Sequence, residues 1–155
     1  MTPSILVVSG GYYPRAEPHA ATIGEGNPVR LTGSARISLV VKHHYRVVED
    51  SGSHGPWKVN TSGYLYSLKD HDSHDILSYH WHPTERSIVT YPHLHLGAGA
   101  NVGRPELAIA HLPTRRIALE DVLRLAIREF GVRPRRSDWA EVLDSAQATY
   151  EDWQT

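Results

Sequence analysis

The pattern of apolar and polar positions divides the chain into a β part and a helical part. Residues 4–9 (SILVVS) are apolar and β-branched and stop at Gly10-Gly11, which predicts a short strand. Residues 10–28 mix glycine, proline and small side chains around Tyr12-Tyr13-Pro14, which predicts an irregular excursion. The longest strand expected is residues 36–48 (RISLVVKHHYRVV). There Ile37, Leu39 and Val41 alternate with Ser38, Val40 and Lys42, as a sheet with two different faces requires. Residues 49–56 (EDSGSHGP) have the composition of a turn. Three further strand-like runs follow: 57–60 merging into 64–69, then 76–82, then 87–96. The connectors 70–75 (DHDSHD) and 83–86 (PTER) are short enough to force antiparallel neighbours, hence a meander. Residues 97–105 (GAGANVGRP) read as a mobile glycine-rich loop, placed to form a wall or lid beside the residues before it. Residues 106–111 are expected as a last short strand.

The period then changes. Leu119, Val122, Leu123, Ala126, Ile127 and Phe130 recur at helical spacing, with Gly131 as a C-terminal stop and Pro134 beyond it. A second helix is expected from Ser137, with Asp138 and Glu141 in its first turn and a stripe of Trp139, Val142, Leu143, Ala146, Tyr150 and Trp153. Neither helix is long enough to be stable alone, so each must pack on the other or on the sheet. The expected fold class is α+β: an antiparallel β-meander sheet followed by two C-terminal amphipathic helices, in a single domain that is mainly β over residues 1–113 and helical over 114–155.

Composition narrows the function classes. The 155 residues contain no cysteine, which excludes disulfides, iron–sulfur clusters and cysteine nucleophiles. A net charge of −1 argues against a strongly basic nucleic-acid-binding domain, though not against a local basic patch. No apolar run approaches the ~20 residues of a membrane span, and no signal peptide precedes the first strand, so a cytoplasmic protein with no membrane partner is expected. The preference for arginine over lysine and the abundant alanine point to a GC-rich genome, and a bacterial-type cytoplasm is the expected setting.

Eleven histidines are the unusual feature, and two H-x-H pairs stand out: His80-Trp81-His82 and His93-Leu94-His95. On a strand, positions i and i+2 share a face, so each pair offers two ligands to a divalent metal, or an acid and a base for proton transfer. The third possibility is that the rings simply pack and hydrogen-bond. If residues 83–86 form a four-residue turn, Ile76 faces His93 and His74 faces His95. All the strand histidines then share a face, but His80 and His93 are offset by four residues, roughly 13 Å. That register favours His93, His95 and His74 as a metal trio and leaves a divalent metal open as cofactor.

Other motifs carry less. Asp70, Asp72 and Asp75 lack the glycine and the distant glutamate of a calcium loop and read as a solvated turn. The glycine loop fails both nucleotide-binding spacings. Arginines 115, 116, 124, 128, 133, 135 and 136 form a basic segment, read as a solvated face balanced by the acids of the last helix, with Arg124 as a candidate phosphate contact.

The middle of the chain adds a resemblance. The run Tyr64-Leu65-Tyr66, then SYHWHP over 78–83, then YPHLHLG over 91–97, followed by the Leu119-Glu120-Asp121-Val122 helix, resembles the TumE family of small toxin-like proteins over residues 64–130. The family signature has one more residue between its histidines, where this chain has only Leu94. The resemblance implies a β-meander before a C-terminal helix, a helix-turn-helix antitoxin partner, and His93 and His95 as the signature positions. The resemblance thus implies a toxin- or defence-type protein; the clustered H-x-H pairs and adjacent arginines add the expectation that, if it is an enzyme, it acts on a phosphodiester or phosphoryl substrate. His93 and His95 would be catalytic, with His80, His82 and Arg124 in support and RNA or phosphate as ligand. The alternatives are a scaffold protein with structural histidines, with a homo-oligomer or protein partner, and a plain metal-binding module.

Overall fold

A computed structural model describes residues 5–9, 19–52, 55–83 and 88–152. The strands are β1 (Leu6–Val8), β2 (His19–Ile23), β3 (Val29–Arg30), β4 (Ser38–Glu49), β5 (Trp57–Lys69), β6 (Asp75–Trp81), β7 (His93–Leu96) and β8 (Leu112–Pro113). The helices are α1 (Pro105–Ile109), α2 (Leu119–Arg128) and α3 (Trp139–Asp152). The eight strands form one antiparallel sheet in the order β1-β2-β4-β5-β6-β7-β8, with β3 also paired to β4. The α+β architecture expected from the two hydrophobic periods is present. No helix among the described residues is long and apolar enough to cross a membrane.

Residues paired across an antiparallel sheet share a face, and successive residues alternate between faces. The register of β4, β5 and β6 therefore places Leu39, Val41, Tyr64, Tyr66, Leu68, Leu77 and Trp81 on one side. These side chains are buried, and Val122 and Ala126 of α2 complete the same core. Burying Val122 alone is worth roughly 1.5–3 kcal/mol, which helps a ten-residue helix to form on the sheet. The Ala118 N–H at the start of α2 donates to the Asp121 carboxylate (3.1 Å). Gly131 ends the helical segment with φ +62°, and Val132 then bridges to Gly33 beside β3. α3 packs on α2, with Val142 of its expected stripe left exposed.

Four segments differ from the sequence expectation. The excursion over 10–28 contains β2, whose small residues Ala20, Ala21 and Thr22 pair with β4; residues 10–18 lie outside the described ones. The 87–96 run is a strand only from His93, directly after Pro92, which has no N–H to give to a ladder; Ser87 and the expected turn at 84–86 lie outside the described residues, as do His54 and Trp153. The segment 106–111 is mostly helical, because Pro105 occupies the first helical position, where its missing N–H costs nothing. The glycine loop is packed rather than loose at its start. A Cβ on Gly97 would sit 2.1 Å from the Asp75 carbonyl oxygen, so only glycine lets the chain leave β7 so close to β6.

Candidate metal centre

The sheet face opposite the core carries the histidines. β6 and β7 pair His80 with His93 and Ser78 with His95. β7 and β8 pair His93 with Pro113 and Leu94 with Leu112, and the same register continued sets His111 across from His95. His80, His82, His93, His95 and His111 thus converge on one patch three strands wide. His93 is its hub. Its ring centroid lies 4.9 Å from His95, 5.0 Å from His111, 5.5 Å from His80, 5.7 Å from His82 and 5.9 Å from Tyr91. His93 is only 1% exposed.

This register corrects the four-residue-turn expectation. The pairing is displaced by four residues, because the chain between β6 and β7 runs from His82 to Pro92 instead of closing as a tight hairpin. An even displacement leaves every side chain on its expected face, so the shared face survives. The 13 Å offset between His80 and His93 does not. The trio of His93, His95 and His74 is not assembled, since Ser78 takes the place opposite His95. His74 lies four residues before Ser78, in the turn preceding β6, with its Nδ1 3.4 Å from Asp70. Asp70 organises that turn, accepting from the N–H groups of Asp72 and His74 at 2.9 Å. Arg124 is not near the histidines either. It sits on α2, on the core side, and bonds Gln147 (2.8 Å) and Asp144 (2.6 Å) of α3.

Two triads bring ligand nitrogens within 4.8 Å of one another: His80, His82 and His93, and His93, His95 and His111. The second is tighter. Its ring centroids are 4.4–5.0 Å apart, against 5.5–6.2 Å in the first. His93 belongs to both, and its hydrogen bonding decides what it can do. Its Nδ1 lies 2.8 Å from the Tyr91 carbonyl oxygen, an acceptor, so Nδ1 carries the proton and Nε2 keeps a lone pair. A carbonyl holding the far nitrogen of a metal-ligating imidazole is a recurrent partner arrangement. Because Nδ1 is occupied, His93 cannot bridge two ions, and the two triads compete for one.

Three of the cluster's histidines, His80, His93 and His95, are held below the ordinary imidazole value. Burial first, then His95, His93 and His82, push His80 down to about 4. Burial is also the main cause lowering His93, followed by His111 and His82 against the opposing effect of the Tyr91 carbonyl. His95 is lowered by burial and by His111, His93 and His82. Neutral imidazoles are the form that binds a metal. Finally, His82 Nδ1 is buried without a hydrogen-bond partner among the described residues, an atom that an ion, water or ligand would satisfy.

Sequence reasoning missed His111. The available signal was its place at the far end of a glycine-rich connector leaving the His93–His95 strand, since a short return strand there runs antiparallel beside it. Comparison of the chain with known protein families, with curated proteins and with solved structures finds no match.

Proposed function

We propose that this protein is a metalloprotein holding one divalent transition-metal ion through His93, His95 and His111, and that the ion promotes hydrolysis at its open coordination position. The observation that carries the reading is the hub geometry of His93: a buried imidazole with its Nδ1–H fixed by the Tyr91 carbonyl and its ring among four others. Three imidazoles are a known ligand set of hydrolytic zinc. Such an ion, held there, would supply Lewis-acid chemistry and activation of a water for hydrolysis. His82, whose buried Nδ1 has no hydrogen-bond partner among the described residues, would be left beside that ion as a hydrogen-bonding group, with His80 packed next to it. Arg124 drops out of this proposal, because it ties α2 to α3.

The phosphodiester or phosphoryl substrate and the toxin or defence setting belong to the same proposal. Their support is that His93 and His95, the positions that the TumE resemblance singles out, both belong to the cluster. Metal analysis of the untagged protein after equilibration with zinc, manganese, cobalt, nickel or iron(II) tests the reading. One ion per chain is expected, lost in the His95→Ala/His111→Ala double variant. Failure to retain a stoichiometric amount of any of these metals sinks it in favour of five structural histidines.

A further inference from the structure

A cleft of about 280 Å³ opens beside His80 and His82, on the same sheet face. Its shape follows from the register of three strands. Lys42 on β4 pairs with Leu65 on β5, and Leu65 pairs with His80 on β6, making one row across the sheet. His44 pairs with Gly63, and the β5–β6 register continued sets Gly63 against His82, making the next. Gly63 presents no side chain between the two histidines, and a Cβ there would stand 2.8 Å from the Trp81 carbonyl oxygen. The floor of the cleft is therefore low in the middle and walled on both sides. Its volume is at the small end of ligand sites, which start near ~300 Å³.

The charge of the walls is one-sided. Lys42 and Arg46 line the cleft together with His44 and the Ser62 hydroxyl, and no carboxylate among the described residues lines it. Neither Lys42 nor Arg46 makes an ion pair with a described residue, whereas Lys58, Lys69, Arg115, Arg124 and Arg136 all do. Two cations without an ion-pair partner among the described residues, together with the Ser62 hydroxyl on β5, form a donor-rich wall in a chain of net charge −1. An ammonium, a guanidinium and a hydroxyl together match the several acceptor oxygens of a phosphate group.

We propose that this cleft seats the phosphate group of a phosphate-ester substrate, with Lys42 and Arg46 as its binding residues and His82 on the side that faces the histidine hub. The proposal rests on the metal reading only for what happens after binding; the anion site stands on the β4 and β5 residues alone. It gives the substrate class a structural basis that Arg124 does not supply.

Binding of inorganic phosphate to the full chain, followed by calorimetry at low ionic strength, tests it. Wild type, Lys42→Ala/Arg46→Ala, the charge-preserving Lys42→Arg/Arg46→Lys, and the distant control Arg133→Ala/Arg135→Ala are compared, each checked for folding by circular dichroism and for zinc content. The expected result is phosphate binding that falls roughly tenfold or more in the alanine pair, as loss of charge-assisted hydrogen bonds implies. It should be largely kept in the charge-preserving pair and unchanged in the control. Absence of phosphate binding to wild type, equal binding in the alanine pair, or equal loss in the control overturns the proposal. Zinc content separates the two readings. Phosphate binding that depends on Lys42 and Arg46, in a protein that retains none of the five metals, sinks the metal centre alone. Stoichiometric zinc with phosphate binding indifferent to Lys42 and Arg46 sinks the anion site alone.

Discussion

His80 and His93 stand directly opposite each other on β6 and β7, with ring centroids 5.5 Å apart. That pairing joins the two H-x-H motifs into one patch and gives His93 its place in both triads. It follows that His93→Ala should abolish metal retention whichever triad holds the ion. His111→Ala should lower zinc occupancy far more than His82→Ala does. Equilibrium dialysis followed by elemental analysis reads both, and the reverse order for His111 and His82 would place the ion in the other triad.

His74→Ala should leave metal content unchanged. The side chain is 59% exposed and its partner is Asp70 in the turn before β6. Exposed pairs of this kind contribute little, so the urea unfolding midpoint should stay unchanged. A loss of metal in this variant would mean that the turn closes over the histidine face.

Arg124→Ala should weaken the attachment of α3 without touching the metal. The guanidinium, 16% exposed, bonds Gln147 and Asp144 across the α2–α3 contact. Losing it should cost roughly 1–2 kcal/mol, the well-exposed Asp144 contributing least. Faster amide exchange in α3 with unchanged zinc occupancy is the expected pattern. An intact α3 with lost activity would return Arg124 to the chemistry.

Acid should destabilise the fold through His43, on the core side. Its Nδ1 shares a 2.5 Å hydrogen bond with the Tyr66 hydroxyl, and burial, with His44 adding, pushes it from 6.5 down to about 4. Below its ordinary value the unfolded chain takes up a proton that the native chain refuses. The stability is therefore present above about pH 6.5 and is lost as pH falls toward about 4. Urea midpoints should drop between pH 7.5 and 5, and His43→Gln should flatten that slope. An unchanged slope would show that His43 does not couple to unfolding.

Gly97→Val should be costly out of proportion to its surface position. The new Cβ would overlap the Asp75 carbonyl, whose strand also accepts the Gly97 N–H at the Ile76 carbonyl (3.1 Å). Overpacking of this kind costs roughly 1–3 kcal/mol. The thermal midpoint should fall by several degrees, and zinc affinity should weaken with it, because the same loop returns the chain to His111.

The chain's own pattern determined the α+β class, the strand alternation and the helix spacing of α2, because periods of 2 and 3.6 are local properties of the backbone. It also determined that His80, His82, His93 and His95 share a face. That result depends only on parity, and a displacement of the register by four residues left it intact. Only the tertiary structure decided which histidines meet. The length of the connection between β6 and β7, the close approach of Gly97 to Asp75 and the return of the chain at Leu112 are long-range facts with weak local signals. They exchanged His74 for His111, brought His80 against His93, and set Lys42 and Arg46 two strands away from His80. Arg124 shows the converse: its charge is plain in the sequence, but helix packing places it on the far side of the sheet.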